Sequence, residues 1–291
     1  VETRVAVGEA HWARIATGLA WYESPVFALP ESDRAVEDVA AVVTMKDWAG
    51  YGEVVIAAKN AGIPTFAKVE GAQDFSDADT PYARAAYRSA DYIFCQGQND
   101  FDSLGGSRHI VGSSRLERLR QAPLLPIQSD FVIINLNFTY GVLEQERAHW
   151  IESAVEACEA LRVPYAVALH PAERRTTTVA RATAVPISRL LLRASVLVSR
   201  FSTVPFEAMA RGIPFVYHNP HGELAATFAN EEDAFRTTTG TDELAGAIEE
   251  SRGWWADYRQ RSGRFFTAQV DIDPEVSSAD RAADRIVQLL G

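Results

Sequence analysis

The carboxyl-terminal half of the chain alternates short apolar runs with longer amphipathic segments. Residues 195–199 (SVLVS) form one mostly apolar run, and residues 215–217 (FVY) form another. Runs of this length without polar alternation are typical of parallel strands that are buried on both faces. Between these runs, the pattern of residues 204–211 predicts a helix. Gly212 can end this helix, and Pro214 blocks its continuation. The pattern therefore predicts a strand, a turn, a helix and a second strand in direct succession.

The same alternation extends over most of the chain. Further strands are predicted at 40–44, within 61–71, and at 90–97, 109–112, 130–138 and 164–171. Helices are predicted at 50–61, 144–161, 241–252 and 278–290, with Thr241 and Asp242 as candidate caps of the third. Strands that alternate with helices indicate parallel sheets. The sequence therefore predicts an α/β fold.

The stretch 121–130 (QAPLLPIQSD) is predicted to be a linker. It carries two prolines and has no helical periodicity. A chain of 291 residues is long enough for roughly two compact units. We therefore expect two Rossmann-type domains, one over residues 1–122 and one over residues 130–291.

Composition narrows the class of protein further. Hydrophobic residues make up 47% and charged residues 23% of the chain, as in ordinary soluble proteins. The longest apolar runs have the length of strands, and the start does not resemble a signal peptide. The net charge of -11 argues against a broad nucleic-acid surface. Cys95 and Cys158 are interpreted as small buried hydrophobes, and we expect a cytoplasmic protein.

Two motifs follow predicted strands. Ser202 and Thr203 stand where the chain leaves the 195–199 strand, and His170, followed by Pro171, ends the 164–171 strand. In open α/β sheets, ligands bind outside the carboxyl ends of the strands, and the start of a helix there suits a phosphate. An imidazole at this edge can donate a hydrogen bond or a proton to a departing phosphate oxygen. An ordinary helix N-cap is the alternative for the Ser-Thr pair.

Basic side chains cluster around these motifs in a chain that is otherwise acidic. Most of them are interpreted as a solvated charged surface, but one or two facing the strand ends would be enough to balance the charge of a nucleoside diphosphate. The residues are Arg174, Arg175, Arg181, Arg189, Arg193, Arg200 and Arg211.

The strand-His-Pro segment and the stretch RASVLVSRFSTVPFEAMARGIPFVYHNP resemble the nucleotide-binding domain of GT-B glycosyltransferases. The nearest likeness is to CDP-glycerol glycerophosphotransferases and to CMP-sugar-using bacterial polysaccharide transferases. The resemblance implies two domains that face a cleft, with the acceptor on the amino-terminal domain and the nucleotide donor on the carboxyl-terminal one. It also implies that the last helix packs back on the first domain.

The resemblance assigns roles to individual residues. His170, Arg174, Ser202 and Thr203 would hold the donor phosphates, and Glu207 would reach a donor hydroxyl.

The catalytic base is implied in the same way. The family's loop after the G-I-P strand often reads His-Gly and carries the base for the acceptor hydroxyl, whereas this chain has Glu70-Gly71 there. A carboxylate can serve as a base where its pKa and geometry suit. Glu70 and His170 are thus the predicted catalytic residues, with Asp47 or His11 as alternatives to Glu70. The other interpretation of Glu70 is a surface residue that caps a turn or pairs with Lys68.

The predicted activity is transfer of a glycosyl or glycerophosphoryl group to a hydroxyl of a surface or capsular glycan, free or lipid-linked. The donor substrate would be CMP-, CDP- or UDP-linked. UDP-sugar 2-epimerases are an alternative with the same domain plan, although their Asp-Ser-Gly-Gly turn does not match residues 200–203. A non-catalytic nucleotide-sugar-binding domain of a polysaccharide-assembly protein is another.

No tightly bound cofactor or metal is expected. The Asp-x-Asp triplets at 77–79 and 271–273 do not follow a convincing strand and are interpreted as loop acids. At most, we expect peripheral association with the inner face of a membrane.

Overall fold

The computed structural model describes residues 5–7, 26–28, 39–47, 50–72, 87–124, 130–138, 143–170, 179, 181–231 and 233–291. Two compact units are found. Within the described ranges, one contains the residues up to Glu117 together with those from Thr267 to the end, and the other contains Arg118–Phe266. Each unit holds one six-stranded parallel sheet. The predicted α/β fold with two Rossmann-type sheets is confirmed.

The first sheet has six parallel strands in the order β2-β1-β3-β4-β5-β6. The strands are β1 (Val5–Val7), β2 (Val26–Ala28), β3 (Ala41–Thr44), β4 (Thr65–Lys68), β5 (Tyr92–Cys95) and β6 (Ser107–Ile110). The helices among them are α1 (Gly50–Asn60), α2 (Gln98–Ser103) and α3 (Ser114–Gln121). Every residue of β3 is buried, as expected for a central strand of a parallel sheet.

The second sheet has the order β12-β11-β10-β7-β8-β9. Its strands are β7 (Val132–Asn135), β8 (Tyr165–Ala168), β9 (Ala182–Thr183), β10 (Val196–Ser199), β11 (Phe215–His218) and β12 (Arg236–Thr238). Counted from its own first strand, this is the 3-2-1-4-5-6 order of a dinucleotide-binding Rossmann sheet. The strand order reverses between β7 and β10, so the binding crevice expected of such a sheet lies at the carboxyl ends of these two strands.

Helices connect and cover the second sheet. They are α4 (Arg147–Ala160, after a 3-10 turn at Glu144–Glu146), α5 (Ile187–Leu190), α6 (Val204–Ala210), α7 (Thr241–Arg252), α8 (Tyr258–Arg261) and α9 (Gly263–Gln269). The last helix of the chain is α10 (Ser278–Leu290). None of the helices in the described part of the chain is both long and apolar enough to cross a bilayer.

Helix α10 packs on the first sheet. Its buried residues Ala282 and Ile286 are four positions apart, so they lie on one face, and they contact a core that contains Val43 and Phe66. At the start of the helix, Ser278 donates two hydrogen bonds to the Glu117 carboxylate, from N at 2.9 Å and from Oγ at 2.6 Å. The chain therefore returns to the first unit after building the second.

Two local predictions were wrong in detail. The strand predicted at 109–112 occupies Ser107–Ile110, because Gly112 has a φ of +81° and cannot continue an extended strand. Helix α7 is capped by Gly240, while the Thr241 hydroxyl lies 3.0 Å from Ser153 Oγ. The first feature follows from the backbone conformation of Gly112, and the second involves the contact of Thr241 with helix α4.

Both cysteines lie in the hydrophobic cores, as predicted. Cys95 and Cys158 are buried and free. Burial raises the pKa of each thiol to about 12, so both stay protonated at neutral pH.

Gly112 offers a sharp test of how α10 is held. A Cβ atom there would lie 2.5 Å from Asp271 O and 2.6 Å from Ser278 Oγ, and the φ of +81° disfavours any side chain. We expect Gly112→Ala to lower the free energy of unfolding by about 2–4 kcal/mol, measured by urea denaturation. The matched control is Gly106→Ala, where φ is +77° but the nearest atom, Ile93 Cδ1, is 3.7 Å away. Equal losses in the two variants would show that the close packing at Gly112 contributes nothing.

Candidate functional site

The carboxyl edge of the second sheet brings the two predicted motifs together. Ala168, Asn135 and Ser199 are paired in one row across β8, β7 and β10. His170 comes two residues after the end of β8, and Ser202 comes three residues after the end of β10. Neighbouring strands are about 4.8 Å apart, so the ends of β8 and β10 are separated by roughly 10 Å. A ligand that contains a diphosphate can span this distance.

The Ser-Thr turn leads directly into α6. Val204 N donates to Ser202 Oγ at 3.2 Å, and Phe206 N donates to Thr203 O at 3.1 Å. The Ser202 side chain therefore closes a local turn just before the helix, whose N-cap residue is Thr203. A hydroxyl that accepts one hydrogen bond still has a proton to donate, so this bond does not prevent Ser202 from binding an anion.

Glu207 lies inside α6 and is buried. Its backbone carbonyl accepts a hydrogen bond from Arg211 N at 3.3 Å. Burial lowers the pKa of the Arg211 guanidinium, and the Glu207 carboxylate opposes that change. The charges of these two residues therefore interact. Arg174 and Arg175 lie outside the described residues.

Arg200 and Glu223 form a buried ion pair beside this turn, and with their hydrogen-bond partners they are called the Arg200–Glu223 network below. The two side chains are only 2% and 5% exposed. Arg200 donates to Glu223 Oε2 from Nε, at 2.8 Å, and also from Nη2. The other carboxylate oxygen accepts from Phe201 N at 3.0 Å and from Tyr217 OH at 2.8 Å.

The network fixes the charge of Glu223. Burial alone would raise the pKa of this carboxyl group, but His221, Arg200 and the Phe201 N–H lower it to about 2. The carboxylate is therefore ionised at neutral pH, and the guanidinium charge of Arg200 is already paired inside the protein. One or two of the clustered arginines were expected to face the phosphates, and the internal pairing of Arg200 makes it an unsuitable choice for that role.

Two histidines lie at or just beyond the carboxyl end of β11. His218 ends the strand, and its ring nitrogens lie 3.0 Å from Thr238 Oγ1 and 3.0 Å from Ser153 Oγ. Burial lowers the pKa of His218 to about 4, so the ring is neutral and structural. His221 Nε2 lies 3.2 Å from Glu223 Oε2 without hydrogen-bond geometry.

Glu70 follows β4 at the carboxyl edge of the first sheet. Its backbone N–H donates to Tyr87 OH at 3.0 Å. Its carboxylate lies 3.9 Å from Lys46 Nζ, with side-chain exposures of 32% for Glu70 and 26% for Lys46. Burial lowers the pKa of Lys68 to about 8, against the effect of the Asp100 and Glu117 charges. The Glu70 carboxylate therefore lies beside the Lys46 ammonium group.

Asp47 is unsuited to serve as the alternative base. It is buried, and its carboxylate accepts backbone hydrogen bonds from Tyr87 and Ser89, both at 2.6 Å, and from Ala90 at 3.1 Å. Both oxygens therefore hold the 87–90 segment in place. His11, the other alternative, lies outside the described residues.

The aspartates of the second Asp-x-Asp triplet interact with the protein around them. Asp271 pairs with Arg281, and Asp273 accepts from the backbone of Glu275 at 2.8 Å and Val276 at 3.0 Å. They are loop acids, as predicted, while the triplet at 77–79 lies outside the described residues. In the ranges that the structure describes, no group of three or more His, Cys, Asp or Glu residues is placed to hold a metal ion.

Comparison by sequence finds no relative. No family model matches the chain. A search of curated proteins also finds no match.

Comparison by structure finds proteins with the same fold over nearly their whole length. One is the wall teichoic acid polymerase TagF, in a structure soaked with CDPG. It has 11% sequence identity and a TM-score of 0.60, and the match covers 99% of this chain and 88% of the TagF chain. The UDP-GlcNAc 2-epimerase of Methanocaldococcus jannaschii, with UDP-GlcNAc and UDP, has 11% identity and a TM-score of 0.62, covering 100% and 99%. Os79 from O. sativa, in complex with UDP, has 12% identity and a TM-score of 0.62, covering 99% and 100%.

These matches establish the fold. This chain, with its two parallel Rossmann-like sheets, shares its overall fold with TagF, with the UDP-GlcNAc 2-epimerase and with Os79. Identities of 11–12% leave the reaction and the donor to be argued from the site itself.

Proposed function

We propose that this protein is a nucleotide-sugar-dependent transferase. It moves a glycosyl or glycerophosphoryl group from a nucleotide-activated donor to a hydroxyl of a surface or capsular glycan. The observation that carries the proposal is the second sheet, in which the strand order reverses between β7 and β10 and the nearby strand ends lead to His170 and to Ser202-Thr203. This is the position at which open α/β sheets bind nucleotides.

The nucleotide-activated substrate would be held mainly by uncharged groups that donate hydrogen bonds. The hydroxyls of Ser202 and Thr203 and the imidazole of His170 donate to the diphosphate, and Arg174 adds a positive charge. Glu207 accepts a hydrogen bond from a donor hydroxyl. The solved structures of TagF with CDPG and of Os79 with UDP support a ligand of this class, because both proteins share the fold.

The chemical step follows from these roles. The acceptor oxygen attacks the transferred carbon or phosphorus atom and forms the new bond, while the bond from that atom to the nucleotide phosphate oxygen breaks. Glu70 takes the proton of the acceptor hydroxyl as general base. His170 donates a hydrogen bond or a proton to the departing phosphate, whose negative charge grows during the step.

A thermal-shift panel of CMP, CDP, UDP, GDP and ADP tests this proposal. We expect one nucleotide to raise the melting temperature selectively, because a ligand at 100 times its Kd stabilises the folded state by about 2.7 kcal/mol. The absence of a shift with every member of the panel would contradict nucleotide binding and with it the proposed function.

A second candidate, epimerisation of a UDP-sugar, is favoured by one observation. The match to the UDP-GlcNAc 2-epimerase covers 100% of this chain and 99% of the epimerase chain. The two proteins therefore align over their whole length, and neither has an additional domain in the match. Incubation with UDP-GlcNAc distinguishes the reactions, because epimerisation gives an isomer of unchanged mass whereas transfer releases UDP. Tight nucleotide binding without either product would point to a non-catalytic nucleotide-sugar-binding domain of a polysaccharide-assembly protein.

We expect transfer to persist after treatment with a chelator. The reason is that hydroxyl, imidazole and guanidinium groups are proposed to balance the donor phosphates without a cation. The measurement is initial transfer rate in EDTA, followed by addition of Mg²⁺ or Mn²⁺. Complete loss in EDTA with recovery on addition of either metal would show that the donor is bound through a metal ion.

A further inference from the structure

The Arg200–Glu223 network joins the two strand ends between which the order of the second sheet reverses. Arg200 Nη1 donates to Asn137 O at 2.9 Å, and Asn137 Nδ2 donates to Phe201 O at 2.8 Å. Asn137 follows β7 and Arg200 follows β10, so these bonds cross the crevice just beyond the last ladder pair. The Arg200 guanidinium also lies over the Phe138 ring, 4.6 Å from its centroid. One arginine and one asparagine therefore link the chain beyond β7 to the chain beyond β10, just past the last ladder pair, Asn135 and Ser199.

Glu223 connects a third strand end to the same point. It lies in the loop after β11, where its N donates to Asn219 Oδ1 at 2.7 Å and its O accepts from Asn219 Nδ2 at 2.9 Å. Its carboxylate accepts from Phe201 N and from Tyr217 OH. The backbone of residue 201 is thus held from two sides, by Glu223 at its N–H and by Asn137 at its carbonyl.

Burial makes this arrangement rigid. A buried charge that loses its partner is costly, and Arg200 and Glu223 are each almost completely enclosed. The residue held by the network, Phe201, immediately precedes Ser202 and Thr203. The network therefore fixes the start of the turn whose hydroxyls are proposed to bind the donor phosphates, before any ligand arrives.

We propose that Glu223 and Arg200 are positioning residues for the nucleotide donor, acting through the backbone of Phe201 on the Ser202-Thr203 turn. The inference rests on the proposed function. Neither side chain contacts the phosphates in this proposal. Binding is favoured because the turn already has the orientation that the ligand requires, so less ordering is needed when the ligand binds.

A matched pair of tyrosine variants tests the inference. Tyr217→Phe removes the hydroxyl that donates to Glu223 near the carboxyl end of β11. Tyr258→Phe removes a hydroxyl that donates to Ala234 O at 2.6 Å and accepts from Phe215 N at 3.2 Å, at the amino end of the same strand. Each change deletes one hydroxyl, the first on a tyrosine of β11 and the second on a tyrosine that contacts β11, but only the first removes a bond of the network. Glu223→Gln is the stronger variant, because it keeps the shape and removes the charge.

The readout is the Kd of each nucleotide in the CMP, CDP, UDP, GDP and ADP panel, measured by calorimetry well below each variant's melting temperature. We expect Tyr217→Phe to raise the Kd about 3- to 10-fold and Glu223→Gln about 10- to 100-fold, while Tyr258→Phe changes it by less than about twofold. In steady-state assays, the donor KM rises in the first two variants and kcat changes little. A purely structural role would lower the melting temperature without this difference between the tyrosine variants.

The outcomes separate the inference from the proposed function. If the wild-type protein binds a nucleotide and Tyr217→Phe binds it as tightly as Tyr258→Phe, the inference is overturned and the proposed function stands. If the wild-type protein binds none of the five nucleotides, both are overturned. Should Glu223→Gln fail to fold, the comparison of the two tyrosine variants decides the question alone.

Discussion

Replacement of His170 by alanine is expected to lower kcat/KM for transfer by a factor of about 30–1,000, or about 2–4 kcal/mol of transition-state stabilisation. His170 follows β8 by two residues, at the same sheet edge as the Ser202-Thr203 turn. An imidazole there meets the phosphate oxygen that gains charge as the nucleotide leaves. The hydrogen bond from the imidazole to this oxygen strengthens in the transition state. Its loss therefore reduces kcat more than it weakens binding of the substrate.

The control for this variant is His149→Ala, since His149 is an exposed histidine on α4 of the same unit. Its kcat/KM is expected to match that of the wild type. A circular dichroism spectrum and melting temperature establish that both variants are folded. Normal turnover by the His170→Ala variant would make His170 a structural residue and remove it from the catalytic assignment.

Glu70→Gln is expected to lower the transfer rate by a factor on the order of 10²–10⁴ and to leave nucleotide binding unchanged. Glu70 follows β4, and its carboxylate is about one-third exposed, with Lys46 Nζ 3.9 Å away. An ion pair of this length at an exposed position contributes little to stability, so the substitution should not unfold the protein. The glutamine keeps the shape of the side chain but cannot accept the proton of the acceptor hydroxyl.

Glu53→Gln, at an exposed carboxylate on α1, is the matched control. Measuring donor binding and transfer in both variants separates the two functions of the protein. Transfer by Glu70→Gln near the wild-type rate would mean that the base lies elsewhere. Asp47 would not be the next choice, because its oxygens hold the backbone of the 87–90 segment. His11 would then be the remaining candidate from the sequence.

The elements around the donor edge could be predicted because local chemistry determines them. The runs that form β10 and β11 are apolar at nearly every position, and α6 ends where Gly212 takes a left-handed φ of +74°. Once β8 and β10 lie in one parallel sheet, their carboxyl ends must lie at one edge. The placement of His170 and Ser202 at a common edge follows from this.

Other features depend on contacts that no local pattern encodes. Strands β9 and β12 have only two and three residues and are partly exposed, so they show no apolar run. The pairing of Arg200 with Glu223 joins residues 23 positions apart, with helix α6 and strand β11 between them in the sequence. In sequence, Arg200 is one of several arginines near the motifs, and only the fold shows that its charge is paired internally.

The path of the chain between its units has a consequence for synthesis on the ribosome. Arg118–Phe266 is one continuous stretch, whereas the first unit needs residues from Thr267 onward. All six strands of the second sheet emerge before α10 is made, and the core that contains Val43 and Phe66 lacks Ala282 and Ile286 until then. Domains generally fold as units during translation. The second unit therefore has everything it needs to fold first, although its sequence begins later, and the earlier half of the protein is completed last.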